Sequence, residues 1–339
     1  MAKKHSFKSH ILSFKSLLNS KELSAVSSHA YCLRYLQHLT EHSNYYLSIY
    51  ADVLEKMVSH SDYKKEQICL LDYGAGNGLL GIFAKYCGIG KVYINDISTE
   101  FIEAAKNLSN ILGIQIDGFI AGDIEMANGF PINAIVGTDV IEHIYDLNSF
   151  MSSLSEINPK MVSVFTTASN PKNIFKVNQL KKLHRKDELI GGDPEDFVLF
   201  GSESHESFFE IRKKIITETA PQINELNADK LAQYTRGMNR HDIIVAVNFY
   251  LSTGNFPNKI NHPTNTCNPI TGSWTERILR LEEYEKMYNT NNYRLIVFNG
   301  FYDIHKNGLK KIINVILNKS ICILGKLIAP YIILVGRQR

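Results

Sequence analysis

Over residues 67–170 the chain alternates short apolar runs with amphipathic stretches, and no other feature limits its folding options as sharply. Residues 68–73, 91–96, 114–121, 134–138 and 161–166 read as strands. The first, Ile68-Cys69-Leu70-Leu71-Asp72-Tyr73, has the near-continuous apolar character of a strand buried on both faces. Residues 79–86, 99–112 and 147–157 carry apolar side chains at helical spacing. Strand and helix alternating at this interval predict a parallel sheet with right-handed crossovers. Residues 293–298 and 330–335 predict two more strands. The expected fold is α/β, with a doubly wound, mainly parallel, seven-stranded sheet. Such sheets bind ligands beyond the carboxyl ends of their strands, where the strand order reverses.

The rest of the chain divides around this core. Residues 1–66 predict an N-terminal helical region, with Cys32, Tyr35, Leu36 and Leu39, then Tyr46, Leu47, Tyr50, Val53, Leu54 and Met57 at helical spacing. Residues 67–170 are the expected ligand-binding core. Residues 171–285 are polar, mostly helical or irregular, and read as an insertion that caps the ligand end and binds substrate. Residues 286–339 return two strands to the core sheet. With 44% hydrophobic and 21% charged residues, disorder along the whole chain is excluded. A net charge of +3 falls far short of a dedicated nucleic-acid binder. Five scattered cysteines without a CxxC pair argue against zinc ribbons, thioredoxin-type motifs and secreted disulfide scaffolds. Reduced thiols and a basic N-terminus lacking a signal peptide's apolar core predict a cytoplasmic protein.

The turn after the first strand, Asp72-Tyr73-Gly74-Ala75-Gly76-Asn77-Gly78, holds three glycines that let the backbone turn tightly and approach a ligand. Two acidic residues refine its meaning. Asp72 would repel a pyrophosphate at the following helix and welcome a cationic amine. Asp96 ends the second strand, where a carboxylate can accept hydrogen bonds from ribose hydroxyls. LLDYGAGNG resembles the first signature of the class I S-adenosylmethionine-dependent methyltransferases, a Rossmann-like family. The resemblance covers residues 67–170 and the last two strands, with four signatures in order at the strand ends. It implies S-adenosyl-L-methionine as cofactor and S-adenosyl-L-homocysteine as product. It also implies that Asp72, Gly74, Gly76 and Gly78 carry the methionine part and that Asp96 binds the ribose. Ile97 would then pack on the adenine, Asp123 would meet the adenine amine and Ile124 its face. A nicotinamide-binding domain fits less well, because position 79 is Leu and breaks the pyrophosphate-type GxGxxG spacing. A scaffold that binds nothing remains the bland alternative.

The fourth strand ends in Thr138-Asp139-Val140-Ile141-Glu142-His143-Ile144-Tyr145-Asp146. Histidine can take a proton from a hydroxyl near neutral pH, while methyl transfer itself needs mainly in-line positioning. DVIEHIYD resembles the matching segment of two groups of O-methyltransferases, one acting on small molecules and one on RNA 3′ ends. In the second group the acid-x-x-Glu-His pattern holds a divalent metal together with a later His. The resemblance implies His143 as catalytic base, Asp139 as both a cofactor and a catalytic residue, and Glu142 and His205 beside them. Asp139, Glu142, His143 and His205 are also the candidate metal ligands. The alternative is that Glu142 and His143 only pack the loop.

In the insertion, residues 261–274 collect a His, three Asn and the single Trp274, a mixture suited to a polyhydroxylated ring. An inward-packed Trp274 in a turn-rich loop explains the same pattern. Arg236 and Arg240 would suit a phosphate or carboxylate if they were not simply exposed on a helix. Residues 304–339 hold seven Lys or Arg and no acid, with Leu309, Ile312, Ile313, Ile316 and Leu317 at helical spacing. This predicts either a helix packed on the sheet or a peripheral membrane contact. The expected activity is methyl transfer, of the EC 2.1.1 type, to a hydroxyl of a small polar acceptor such as a sugar or nucleotide-linked metabolite. The alternatives are 2′-O-methylation of an RNA terminus with a divalent metal, and a non-enzymatic protein that keeps the fold.

Overall fold

The computed structural model describes residues 6–192, 206–260 and 264–338. Seven strands form one sheet: β1 (Cys69–Tyr73), β2 (Lys91–Asp96), β3 (Gly118–Ala121), β4 (Ala134–Thr138), β5 (Val162–Thr167), β6 (Tyr293–Asn299) and β7 (Ile332–Gln338). Their order is β3-β2-β1-β4-β5-β7-β6. β1 to β5 pair in parallel, and β7 runs antiparallel between β5 and β6. The sheet is therefore the doubly wound, mainly parallel, Rossmann-like α/β architecture expected. β1 lies between β2 and β4, so the strand order reverses there.

The chain forms two compact units. The sheet unit comprises Met1–Ile141, Leu147–Ala168 and Arg280–Arg339, and the insertion unit comprises Glu142–Asp146 and Ser169–Leu279. In the sheet unit, α1 (Ile11–Asn19), α2 (Ala30–Glu41) and α3 (Ser43–His60) precede β1. Phe14, Leu18, Leu36, Leu47, Val53, Leu54 and Met57 join one apolar core with Leu70, Ile94, Val136, Val164 and Val335 of the strands. α4 (Leu79–Tyr86) and α5 (Thr99–Leu112) supply Ile82, Phe83, Ala105 and Leu108 to that core. α5 starts at Ser98, whose hydroxyl accepts the Phe101 N–H, and stops at left-handed Gly113. α6 (Leu147–Ile157), α11 (Leu281–Thr290) and α12 (Leu309–Leu324) complete the unit.

The insertion unit has its own core. α7 (Ile174–Leu189), α8 (Phe208–Thr219), α9 (Glu225–Tyr234) and α10 (Arg240–Thr253) make up its helices. Ile215, Ile216, Leu231, Ala232, Ile243 and Val247 pack together. Beside them Arg212 is fully buried and forks onto Glu188, while its Nε donates to the Ala232 carbonyl. Thr266 also donates to Glu188, tying its loop to α7.

Two strands differ from expectation by more than one residue. β3 is only four residues long, because residues 114–117 are irregular, with Asp117 fixed by accepting the Val92 N–H. β7 starts two residues later than read, past Pro330, which has no N–H to give a ladder. Among the described residues no helix is long and apolar enough to cross a membrane.

Candidate functional site

At the switch point the glycine turn leaves β1 and enters α4. Gly74, Gly76 and Gly78 all have left-handed φ values, of 62°, 54° and 71°. A side chain there would be strained, and at Gly76 a Cβ would also lie 2.8 Å from the Tyr35 ring. The loop is held from below. The Gly76 N–H donates to Asp96 Oδ2 at 2.8 Å and the Ala75 N–H to the Asn95 carbonyl at 3.0 Å. Asn77, fully buried, donates to the Cys32 carbonyl of α2.

Asp72 lies beneath this loop, buried, and accepts the Gly81 N–H at 2.7 Å. Burial pushes its carboxyl up to about 7, against the pull of that N–H and with a further rise from Asp96. Asp96 is also raised by burial, opposed by N–H groups of Ser98, Gly76 and Ile97. Its Oδ1 takes the Ser98 N–H at 2.9 Å. The carboxylate offers about four lone-pair sites, and with the Ser98, Gly76 and Ile97 N–H groups on it there is room for one more donor. Ile97 is exposed just past β2. Past β3, Asp123 is exposed, and its Oδ1 accepts both the Tyr73 hydroxyl and the Ile124 N–H. Ile124 is buried in the protein, so the exposed apolar side chain of this segment is Met126.

Asp139 ends β4 with a left-handed φ of 51°, unusual for a residue with a side chain. Its N–H points at Thr166 of β5. Facing it is a group of tyrosines from α2 and α3 that the sequence offered only as core positions or not at all. The hydroxyls of Tyr35, Tyr45 and Tyr46 are raised first by burial and next by the Asp139 charge, Tyr46 to about 12. Tyr31 and Tyr35 stack on each other and set their edges against Phe101. The Tyr46 hydroxyl lies 2.9 Å from His38 Nε2. A polar cavity of about 240 Å³ opens beside Tyr45, lined among others by Glu41, His42, Asp303, His305 and Lys306.

The chain passes into the insertion unit at Glu142. There the segment 142–146 is laced to the loop around Trp274. The Trp274 N–H donates to the His143 carbonyl, the Arg277 N–H to the Glu142 carbonyl, and the Trp274 indole to the Tyr145 carbonyl. The Tyr145 hydroxyl donates to Asp242, and Gly272 packs on its ring. Glu142 is fully buried, a position from which it shapes the loop. His143 is partly exposed, and its Nδ1 lies 2.8 Å from the Trp274 carbonyl. A carbonyl can only accept, so Nδ1 carries a proton, and in the neutral ring the lone pair is then on Nε2. Glu276 Oε1 stands 4.0 Å from that Nε2. Glu276 has a left-handed φ of 43°, and its other oxygen accepts the Ser169 hydroxyl. No sequence pattern marked Glu276; it is a single acid far along the chain from His143.

In the insertion the structure decides between readings that the sequence left open. Trp274 is buried, stacked with Tyr145 and 4.3 Å from the Arg277 guanidinium, so it offers no open face to a sugar ring. Asn265 spends its amide on both backbone groups of Ile278, and Asn268 caps its own turn. Arg236 donates to the carbonyls of Thr264 and Asn265, and Arg240 pairs with Glu218. His205, Asn261 and His262 lie outside the described residues. Among the described residues no three His, Cys, Asp or Glu side chains gather to hold a metal ion, so Asp139, Glu142 and His143 do not form such a set.

No family model matches the chain, and no curated protein sequence matches it either. Solved structures do. The magnesium protoporphyrin IX methyltransferase of Synechocystis PCC 6803, with bound SAH, is 12% identical at a TM-score of 0.41, covering 90% of this chain and 84% of that one. An S-adenosylmethionine-dependent methyltransferase of Clostridium acetobutylicum is 10% identical at 0.43, covering 85% and 89%. The YcgJ protein of Bacillus subtilis is 13% identical at 0.41, covering 85% and 98%. Likenesses this distant concern the fold alone, whereas the chemistry rests on the geometry of the switch point.

Proposed function

We propose that the chain transfers a methyl group from S-adenosyl-L-methionine to a hydroxyl oxygen of a small polar acceptor, such as a sugar or sugar nucleotide. The observation that carries this is the convergence of three left-handed glycines and Asp96 at the switch point of a sheet with one reversed strand. The donor set fits the cofactor. The remaining acceptor capacity of Asp96 suits a ribose hydroxyl, and exposed Ile97 and Met126 suit an adenine ring. Asp139 supplies an exposed carboxylate for the methionine ammonium. When bound, the cofactor supplies an electrophilic methyl on a sulfonium and leaves as S-adenosyl-L-homocysteine.

His143 supplies the base. With Nδ1–H fixed on the Trp274 carbonyl, Nε2 takes the acceptor's hydroxyl proton as the new O–C bond forms. Glu276 stabilises the imidazolium that results. The test is methyl transfer from labelled cofactor to a pool of hydroxylated acceptors. The His143→Ala variant should lose about 10²- to 10⁴-fold in rate while binding S-adenosyl-L-homocysteine as the wild type does. Full turnover in that variant would remove His143 from the chemistry.

A further inference from the structure

The last helix is turned inside out relative to an ordinary surface helix. α12 holds to its own protein through amides: Asn314 donates to the Asp303 carbonyl, and Asn318 both donates to the Tyr302 carbonyl and accepts its N–H. Only Ile321 of this helix is buried. The opposite face carries Leu309, Ile312, Ile316 and Ile323, which are 71%, 57%, 57% and 87% exposed. Ile313 and Leu324 widen this stripe, and Leu327 extends it past the helix end. A soluble protein does not leave a contiguous apolar face of this kind to water without a use for it.

The charge around the stripe points to what covers it. Lys310, Lys311 and Lys319 have no acidic partner among the described residues. No acidic residue occurs from Ile304 to Arg339. A second copy would bring one acid-free, lysine-bearing face against another, which repels. At sixteen residues the helix is too short to cross a bilayer. We infer that α12 lies in the surface of a membrane bearing anionic lipids. Its isoleucines enter the headgroup–acyl boundary, and its lysines meet the lipid phosphates. A protein docked this way would meet its acceptor at the membrane surface.

The full-length protein should float with phosphatidylcholine vesicles containing phosphatidylglycerol at low salt, and not with phosphatidylcholine alone. Each Lys→Ala change should weaken binding about five-fold, and Lys310, Lys311 and Lys319 replaced together about a hundred-fold. Ile312→Glu with Ile316→Glu should abolish flotation. Both side chains are exposed, so the melting temperature should not fall. Absence of flotation on the anionic vesicles would overturn the inference, as would binding that survives the double variant. Concentration-dependent dimers, lost in the double variant and without vesicle binding, would assign the face to a second copy instead. Cofactor binding is read separately, so this result stands apart from the proposed chemistry.

Discussion

Asp72→Asn removes one charge and keeps the shape. The carboxyl is buried under the glycine turn with a pKa near 7, against an ordinary value of 3.8. The unfolded chain ionises this group from about pH 4, whereas the folded protein resists ionisation until about 7. Native stability is therefore lost as pH rises through that window, and above it the penalty is complete. Three pKa units at about 1.4 kcal/mol each give a cost on the order of 4 kcal/mol at pH 8 and almost none at pH 4. The amide oxygen of Asn can still accept the Gly81 N–H. Asp72→Asn should therefore be more stable than wild type at pH 8 and equal to it at pH 4. With an unfolding entropy of about 2 cal/mol/K per residue, the gain is roughly 6 °C in melting temperature. Calorimetric melts of both proteins across this range test it. A variant that melts no higher at pH 8, or shows the same difference at both ends, would refute the reasoning. An unchanged curve would mean that Asp72 is ionised in the folded protein at little cost.

The same geometry sets the outcome of other substitutions. Gly76→Ala should cost about 2–5 kcal/mol in urea denaturation, from left-handed strain plus the collision with Tyr35. Gly113→Ala has a comparable φ but nothing within 4 Å, and should cost only about 1 kcal/mol; equal losses would show that the Tyr35 ring yields freely. Arg212→Leu should destabilise the insertion unit by about 3–5 kcal/mol, because it strands the buried Glu188 carboxylate. Adding Glu188→Leu should restore much of that loss, and fluorescence of the single Trp274 reports it.

The sequence was most informative where local signals agreed. Residues 91–96, 134–138, 79–86 and 99–112 form the elements read from them, because apolar runs and helical periodicity end at Ser98, Gly113 and the glycine turn. The reading of 114–121 ran long because Ile114 and Ile116 look like strand residues while lying in irregular chain ahead of β3. At the switch point, the turn formed by the glycines and Asp96 could be located because its geometry depends on a few adjacent residues. The grouping of Tyr35 and Tyr46 with Asp139 could not, since an aromatic at helical spacing carries no sign of its polar neighbours. The loop around Trp274 left two readings open for a related reason. A polar, turn-rich stretch does not reveal that Asn265 and Arg236 are spent on its own backbone. Glu276 was out of reach altogether, since only the folded insertion brings it to His143.

The most direct test of the proposed methyl transfer is calorimetric titration of the full chain with S-adenosyl-L-homocysteine, in wild type and Asp96→Ala. Micromolar binding that disappears in the variant, with its melting behaviour otherwise intact, is the expected result. Correctly folded wild-type protein that binds nothing, or a variant that binds as well as wild type, would contradict the cofactor assignment and the chemistry built on it.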